Sequence, residues 1–454
     1  MYKPFKRPVT KASPDIRLPE PRVSLITVFL LKTLLRLYLF IYYGVSKTFI
    51  HEDVEFYKAF SRALAGKSRL IIAFRHPNGG EPQLLTWFFL SKLRWLALKK
   101  GVRFPRWPHA VFIYGYDVVR WGGWVARYIL PNVGGMPIYH SKMDKKAMAR
   151  IYSAIDSGRF PVAIAPEGQV SYSTDTIPRL EPGVIRIGFN AALHLEKNEP
   201  ESAVEILPLS IHFRFGSWGK ATVELLLRKI ENFCGFKKSE KKNISFQRRL
   251  EKCRDYIIEK NEKRYNIKYD DPVLPSFEER IKKIADAALD TAERMLGLKS
   301  EGDFFARLYK TRQLCWDRIF LPDIPNFKNM PRVERSINDH EAGQAWYIAR
   351  HHELADISWY FKAPVPSDDK ALHKKIEYVQ NLYDFTSRTM GGAYSNRISI
   401  FPRKVIIKTA PVINLTERLP RYREDRKTAI SETLAGLEKA FIDDIKEMNR
   451  IEKG

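Results

Sequence analysis

At 454 residues the chain is long enough for more than one folding unit, and its 44% hydrophobic and 13% aromatic content excludes a disordered polypeptide. The 77 Lys and Arg residues outnumber 52 Asp and Glu, and the net charge of +25 implies a polyanionic partner, either nucleic acid or an anionic membrane surface. Cys234, Cys253 and Cys315 are too few for a disulfide framework and lack metal-ligand spacing, which favours a reducing compartment.

The N-terminal region predicts attachment to a membrane. Residues 1–22 form a basic, proline-containing arm, expected to be flexible, and residues 23–43 form an apolar stretch of nearly membrane-spanning length. Lys32 and Arg36 share one face of a helix, and holding both at mid-bilayer would cost about 5–7 kcal/mol. A helix in the membrane interface, with this basic stripe near lipid phosphates, avoids the cost. We therefore predict a membrane-associating segment over 1–50 at the cytoplasmic face, in preference to a membrane span or a soluble core helix.

Between residue 51 and about residue 230, short apolar runs alternate with helical patterns. Such alternation predicts a layered α/β domain with substantial parallel strand pairing. The predicted strands cover 69–74, 110–116, 160–165, 203–215 and 221–227. The predicted helices include 82–100 and 145–158, the second of which ends at Gly158.

The second half of the chain is predicted to be mainly helical. Residues 228–268 are strongly basic and predict a solvated helix, and the whole of 231–400 is predicted to be a large helical insertion. A late strand over 404–415 precedes an amphipathic helix, so we expect 401–454 to return to the main sheet. Apolar side chains of that helix recur at three- and four-residue steps: Ile430, Leu434, Leu437, Phe441, Ile445 and Met448.

A polar turn follows the predicted strand 69–74. His76 comes just after the strand, at the sheet edge where α/β folds place ligands, and Glu81 follows five residues later. Gly79 and Gly80 would let the turn fold back so that Glu81 reaches the imidazole. A carboxylate fixes the tautomer of a neutral His and stabilises the imidazolium formed when a hydroxyl loses its proton. The pair therefore predicts a general base, although an isolated pair of this kind is more often structural.

A second polar turn follows the predicted strand 160–165. It contains Pro166, Glu167 and Gly168, and in an α/β sheet this strand would end beside strand 69–74. Two polar turns on one sheet edge indicate a functional site more strongly than either turn alone.

Four motifs, in chain order, resemble those of the glycerolphosphate and lysophosphatidate acyltransferase superfamily. The family's first motif, His, four residues and Asp, is similar to His76–Glu81, with Glu in place of Asp. Its second, Gly-x-x-Phe/Pro-Ile-x-Arg, is similar to Gly134–His140. Its third, Pro-Glu-Gly-Thr-Arg-Ser, is similar to Pro166–Ser171, and its fourth, an apolar strand with a central proline, is similar to Ile206–Ile211. Together the motifs span 69–215, about a third of the chain.

The resemblance implies an O-acyltransferase of phospholipid biosynthesis. His76 would take the proton from the acceptor hydroxyl while Glu81 orients the imidazole and stabilises its charge. The hydroxyl oxygen would then attack the thioester of acyl-CoA or of an acyl-carrier protein, without a covalent acyl-enzyme. These thioesters are co-substrates, and no metal or other cofactor is expected.

The substrate-contacting residues are expected within and beside the motifs. By resemblance, Glu167 and Gly168 would line the acceptor pocket and Pro208 would shape the acyl side. The complete set of residues expected to contact the substrates is Arg75, Asn78, Gly134, His140, Glu167, Gly168 and Pro208.

Two departures from the family pattern concern the acceptor. The family's second-motif and third-motif arginines are His140 and Val170 here, and a bidentate guanidinium grip on a phosphate is hard to replace. Either other cations substitute, or the acceptor lacks that phosphate. Arg75 is the best-placed substitute, although it could as easily pair with a structural carboxylate. We rank 1-acylglycerol-3-phosphate first as acceptor, and a lysophospholipid or another lipid alcohol second.

Three other functions compete with acyl transfer. A non-catalytic, basic membrane-binding protein on the same fold is the main alternative. Nucleic-acid binding would explain the charge, but no recognised nucleic-acid motif appears. Residues 339–356 are rich in His and carboxylates, and a metal site is conceivable on the face that carries His340, Gln344, Tyr347 and His351. A polar helix face is the favoured interpretation of that segment.

Overall fold

A computed structural model describes residues 9–51, 54–139, 144–216, 218–236, 244–269, 275–321, 324, 327–392, 397–400 and 402–451. The chain divides into two compact units. We call Leu18–Gly216 together with Phe401–Gly454 the sheet unit, and Met1–Arg17 together with Ser217–Ile400 the helical unit. The protein is therefore of mixed α/β class, with the helical unit inserted into the sequence of the sheet unit.

Ten strands are present among the described residues. They are β1 (Ser13–Pro14), β2 (Val45–His51), β3 (Ser68–Phe74), β4 (Val111–Gly115), β5 (Met136–Ile138), β6 (Val162–Ile164), β7 (Ala203–Phe215), β8 (Phe320–Leu321), β9 (Arg403–Thr409) and β10 (Ile413–Asn414). The main sheet has the order β2-β9-β7-β3-β6-β4-β5, and β10 also pairs with β7. Strands β9 and β10 run antiparallel to β7, whereas the other pairs in this sheet are parallel. The sheet is thus mixed, with a parallel centre.

The described helices alternate with these strands in the sheet unit and follow one another in the helical unit. They are α1 (Leu25–Tyr43), α2 (Val54–Leu64), α3 (Glu81–Phe88), α4 (Arg94–Lys99), α5 (Asp117–Trp121), α6 (Gly123–Asn132), α7 (Lys145–Ser157), α8 (Gly183–Asn198), α9 (Trp218–Cys234), α10 (Phe246–Arg264), α11 (Phe277–Leu296), α12 (Phe304–Ile319), α13 (Arg332–Tyr360), α14 (Leu372–Thr389), α15 (Leu419–Glu424) and α16 (Arg426–Ile451). A π-helical turn, Phe89–Leu93, joins α3 to α4.

The core of the sheet unit has two halves because successive strand residues point to opposite faces of the sheet. Leu70, Ile72 and Phe74 of β3 pack with α1, α2 and α3 on one face. Ile71 and Ala73 pack with α7, α8 and α16 on the other. All seven residues of β3 are buried, as expected for a central strand covered on both faces. The carboxyl end of β3 is therefore held rigidly at the middle of the sheet edge.

Four of the five strands predicted for the first half are confirmed, and one prediction is wrong. Strands β3, β4, β6 and β7 coincide with the predicted runs to within about two residues at each end. Residues 221–227, however, belong to helix α9, where Val223, Leu226, Leu227 and Ile230 are buried at helical spacing. A short apolar run fits both a strand and a buried helix, and packing of α9 against α14 in the helical unit decides the outcome. The short strands β2 and β5 were not predicted.

The basic arm is partly ordered rather than free. Ser13 and Pro14 pair in parallel with Phe320 and Leu321, and the backbone N–H of Ala12 donates to Asp339 Oδ1 at 3.0 Å. Residues 9–17 thereby join the helical unit. That unit also begins at residue 217, earlier than the predicted boundary at 231, because α9 packs within it.

The C-terminal segment lies in the sheet unit. Its predicted late strand is two strands, β9 between β2 and β7, and β10 beside β7. The following helix, α16, is amphipathic as predicted, with Leu437, Phe441, Ile445 and Met448 buried. Ser210 Oγ of β7 donates a hydrogen bond of 2.7 Å to Asp444 Oδ2, which fixes α16 against the sheet.

Helix α1 is the one described helix long and apolar enough to cross a membrane. Leu31, Leu35 and Leu39 pack into the core of the sheet unit. The predicted position of Arg36 beside lipid phosphates is wrong, because its guanidinium is engaged by backbone carbonyl groups of the protein. Arg36 donates to the carbonyl groups of Val45 and Ser46 at 2.7 and 2.6 Å, and the Lys32 ammonium lies 4.6 Å from the centre of the Trp107 ring. The exposed face of α1 is consequently uncharged.

Candidate active site

The two polar turns meet at the carboxyl edge of the sheet, as predicted. Strand β3 pairs in parallel with β6, with Ile71 opposite Val162. The turn that contains His76 therefore begins beside the turn that contains Glu167. Two hydrogen bonds of the His76 backbone join the turns. The His76 N–H donates to Glu167 Oε1 at 2.8 Å, and the Ser171 N–H donates to the His76 carbonyl at 2.9 Å.

His76 and Glu81 form the contact that their spacing predicts. His76 Nδ1 lies 2.7 Å from Glu81 Oε2, and the Glu81 side chain is fully buried while 16% of the His76 side chain is exposed. Two backbone N–H groups hold the carboxylate, from Asn78 to Oε1 at 2.8 Å and from Gly79 to Oε2 at 2.7 Å. With Nδ1–H directed at the carboxylate, Nε2 carries the lone pair and can accept a proton.

Two glycines allow the turn to close. Gly79 has φ of +104°, which side chains rarely permit. A Cβ on Gly80 would lie 2.7 Å from carbon atoms of the Tyr43 ring. Tyr43, the last residue of α1, therefore packs directly on the turn formed by residues 75–81, here called the His76 turn, which the sequence did not indicate. Burial raises the pKa of the Tyr43 phenol, and the neighbouring Tyr38 and Glu81 raise it further.

Arg75 is not available to a substrate, which corrects the expectation that it binds the acceptor. Its side chain is 1% exposed, and its Nε donates to Glu167 Oε1 at 2.8 Å. The remaining guanidinium nitrogens donate to the carbonyl groups of Ser173, Thr174 and Thr176 at 2.8–3.3 Å. Arg75 thus pairs with the structural carboxylate, the alternative that the sequence left open.

Glu167 is structural rather than pocket-lining in this arrangement. The Glu167 side chain is 1% exposed and engages Arg75 and the backbone of His76. Gly168 has φ of +74°, and a Cβ there would lie 2.6 Å from Glu181 Oε1. The expected contact of Glu167 with the acceptor is therefore corrected to a supporting role, whereas Gly168 is half-buried and its contact with the acceptor stays a prediction.

Of three further residues expected to contact a substrate, two are buried and one lies on a turn. Pro208 is buried in β7, opposite Ala73 of β3, and its carbonyl accepts from the Ala410 N–H. Gly134 is buried with φ of +77°, and a Cβ there would lie 2.6 Å from Val111. These positions fit backbone requirements rather than contact with a substrate. Asn78 is half-buried on the His76 turn.

The side chains that could replace the missing arginines include exposed cations near the starts of helices α7 and α8. His140 lies outside the residues that the structure describes. Lys145 and Lys146 are exposed in the first turn of α7, which follows β5, and Arg186 is exposed in α8. Val170 lies beside the His76 turn, since a Cβ on Gly79 would be 3.7 Å from its side chain.

Arg403 is a site residue that sequence reasoning missed. It is the first residue of β9, its side chain is buried, and its Nη1 donates to Asn78 Oδ1 at 2.8 Å. The guanidinium lies over the rings of Phe213 and Phe215, 4.9 and 5.7 Å from their centres. The contact joins residues 325 positions apart, so no local pattern could reveal it. Through Asn78, Arg403 supports the turn that holds Glu81.

The histidine-rich face of α13 is engaged by protein groups. Gln344 Nε2 lies 2.9 Å from His340 Nε2, and His351 Nδ1 lies 2.9 Å from the Tyr265 hydroxyl. Within the described ranges, no group of three or more His, Cys, Asp and Glu side chains is arranged to hold a metal ion.

Comparison of the chain with protein-family models, with curated proteins and with solved structures finds no match. The acyltransferase resemblance thus rests on the four sequence motifs, and the function has to follow from the geometry at His76. That geometry is a partly exposed imidazole whose Nδ1 is fixed by a buried carboxylate at the centre of a sheet edge.

Proposed function

We propose that this protein is an acyltransferase that moves a fatty acyl group from acyl-CoA or an acyl-carrier protein to a hydroxyl of a glycerolipid precursor. The observation that carries the proposal is the 2.7 Å contact between His76 Nδ1 and Glu81 Oε2. A buried carboxylate behind an accessible imidazole is the arrangement that general-base catalysis on a hydroxyl requires.

The reaction needs two proton transfers at His76. Nε2 takes the proton of the acceptor hydroxyl as its oxygen attacks the thioester carbonyl carbon. When the tetrahedral intermediate collapses, the carbon–sulfur bond breaks and the imidazolium returns the proton to the leaving thiolate. Glu81 balances the imidazolium charge between these steps, and the N–H groups of Asn78 and Gly79 hold Glu81 in position.

The first candidate acceptor is 1-acylglycerol-3-phosphate. With Arg75 engaged by Glu167, the cations left for its phosphate near this sheet edge include the exposed Lys145 and Lys146. The second candidate is a lysophospholipid or another lipid alcohol. That candidate is favoured by the pairing of Arg75 with Glu167 and by the apolar Val170. Both leave these positions without a free guanidinium that could bind a phosphate through two hydrogen bonds.

We propose further that the protein works at the cytoplasmic face of an anionic membrane, to which residues 1–50 attach it. The uncharged exposed face of α1 and the net charge of +25 support this location. The proposed partners are thus the acyl thioester, the lipid acceptor and the membrane surface.

The test is transfer of a labelled acyl group from CoA and from an acyl-carrier protein to a panel of lyso-lipids. In His76→Ala the rate should fall by about 10²–10⁴-fold, because the base is removed. Glu81→Gln should cost less but still more than tenfold, roughly, because the imidazolium loses its counter-charge. His194→Ala, at an exposed histidine of α8, is the matched control and should leave the rate unchanged.

Transfer by purified, folded His76→Ala at the wild-type rate would contradict the mechanism. If the wild-type chain transfers no acyl group from either donor to any acceptor, the non-catalytic membrane-binding alternative is correct.

A further inference from the structure

Helix α1 presents an apolar surface along its whole length. Every exposed position of this helix, which the structure describes throughout, carries a large apolar side chain except Thr33. Leu25, Ile26 and Phe29 are 79%, 74% and 71% exposed. Surface apolar residues are normally scattered singly, so a continuous strip of them marks a contact with another apolar phase.

A second apolar element adjoins the start of α1. Trp121 of α5 and Trp124, Val125 and Tyr128 of α6 are 46–79% exposed. Within α6, all of which is described, the buried residues are the last two, Pro131 and Asn132.

Backbone hydrogen bonds tie the end of α6 to the start of α1. The N–H groups of Arg22 and Ser24 donate to the carbonyl groups of Pro131 and Asn132, both at 2.8 Å. The exposed aromatic side chains of α5 and α6 therefore belong to the same region of the sheet unit as the first turns of α1.

Cations lie on exposed tryptophans beside this region. The Lys32 ammonium and the Arg94 guanidinium lie 4.6 and 5.4 Å from the centre of the Trp107 ring. The Lys99 ammonium lies 3.6 Å from the centre of the Trp95 ring. Paired cations and aromatic rings are typical of the zone where a bilayer changes from hydrocarbon to phosphate.

We propose that α1 and the α5–α6 segment form a two-part docking surface for an anionic lipid bilayer, with Trp121, Trp124 and Tyr128 inserted beside α1. This proposal extends the membrane attachment of residues 1–50 proposed above to a second segment, and it is independent of the chemistry at His76. The occupant is a membrane rather than a second copy of the chain, because two copies would bring like-charged cations together.

The surface leads to the proposed active site. Helix α1 is about 28 Å long at 1.5 Å per residue, and its last residue, Tyr43, packs on Gly80 of the His76 turn. Lipid in contact with the exposed face of α1 therefore lies along a helix whose last residue contacts the turn between His76 and Glu81. The α5–α6 segment holds the opposite end of that helix.

Point substitutions test the surface better than a deletion does. Removing residues 1–50 would also remove Leu31, Leu35 and Leu39 from the core and most of strand β2. Trp124→Ser with Tyr128→Ser changes exposed side chains of α6, and Phe29→Ser with Leu34→Ser does the same on α1. The matched control is Trp218→Ser, at a tryptophan that is 74% exposed in α9.

The measurement is cosedimentation of the full chain with vesicles of phosphatidylcholine and phosphatidylserine in equal amounts. Each double variant should lower the partition coefficient roughly tenfold or more, whereas Trp218→Ser should leave it unchanged. Arg94→Gln with Lys99→Gln should lower it several-fold on these vesicles and leave it unchanged on pure phosphatidylcholine. The His76→Ala protein should bind vesicles as the wild-type chain does.

Three outcomes would overturn the proposal. The first is no vesicle binding by the wild-type chain. The second is full binding by the folded Trp124→Ser/Tyr128→Ser variant alongside loss in the α1 variant, which would leave α1 as the whole attachment. The third is a wild-type dimer that this α6 variant converts to a monomer without a change in lipid binding, which would make the segment an interface between copies.

Discussion

Two adjacent residues of the His76 turn have different environments. The Arg75 side chain points into the protein, where Glu167 and three carbonyl groups accept its hydrogen bonds. His76 directs Nδ1 at Glu81 and keeps part of its ring exposed. Because Glu167 also accepts from the His76 N–H, one carboxylate links the buried cation to the backbone of the proposed base.

Arg75→Ala should therefore act on stability rather than on acceptor binding. Loss of the guanidinium leaves the Glu167 charge buried without a partner, which should lower the free energy of unfolding by roughly 3–5 kcal/mol. Adding Glu167→Gln removes that charge, so the double variant should be more stable than Arg75→Ala alone. Urea denaturation of the three proteins measures both effects.

The kinetic readout separates a structural Arg75 from a substrate ligand. KM for a phosphate acceptor and for a neutral acceptor should change by the same factor in Arg75→Ala. A variant of unchanged stability with a KM increase confined to the phosphate acceptor would show that Arg75 does grip the phosphate.

At the scale of elements, strand β9 brings the C-terminal segment to the His76 turn. Its first residue, Arg403, donates to Asn78 Oδ1, and the Arg403 backbone N–H donates to the Gly44 carbonyl at 2.8 Å. The strand thus contacts both the His76 turn and the end of α1. Because the Asn78 backbone N–H donates to Glu81, loss of the Arg403 side chain should displace the carboxylate that fixes the imidazole.

Arg403→Met should lower kcat by about 10- to 100-fold with little change in KM, because a misplaced Glu81 weakens the base without removing a substrate contact. Lys404→Met removes an exposed cation from the next position of β9 and should leave kcat unchanged. The pH dependence of kcat gives a second readout, because it reports directly on the group that acts as the proposed base. Equal kcat values and equal pH profiles for all three proteins would mean that Arg403 supports the fold alone.

At the scale of the whole molecule, helix α16 belongs to the sheet unit although an insertion of more than a hundred residues precedes the C-terminal segment. This helix carries Asp444, whose carboxyl group is buried against the sheet. The pKa of Asp444 is raised to about 6, chiefly by burial and in smaller part by Glu447 and Asp443, against the opposing effects of the Ser210 hydrogen bond and Lys408. A carboxyl whose pKa is raised by folding favours the folded chain at low pH. That contribution is complete below its ordinary pKa of 3.8 and is lost as the pH rises through about 6.

Asp444→Asn should consequently stabilise the chain at higher pH, since the amide carries no charge into the interior. The gain over the wild-type chain should approach roughly 3 kcal/mol near neutral pH and above, and should shrink as the pH falls below about 6. Thermal unfolding across this pH range measures the difference. Asp443→Asn, at an exposed neighbour, should show at most a small change, and a pH-independent difference for Asp444→Asn would contradict the raised pKa.

The amino-acid sequence by itself determined what depends on neighbours a few residues apart. The buried strands β3, β6 and β7 follow from their apolar runs, and the amphipathic helix α16 follows from its spacing. His76 and Glu81 are five positions apart, so their spacing and the intervening glycines sufficed to predict the contact between them.

Tertiary structure alone decided the contacts that join distant parts of the chain. Arg75 meets Glu167 across 92 positions and Asn78 meets Arg403 across 325, so no local pattern contains either pair. The direction of α1 was decided in the same way. Its apolar residues surround the helix, so periodicity could not say which face packs inward, and the hydrogen bonds from Arg36 to the β2 backbone turned the charged side toward the protein. Local patterns specify elements because backbone geometry repeats within a few residues, whereas buried charges take partners that folding brings within reach.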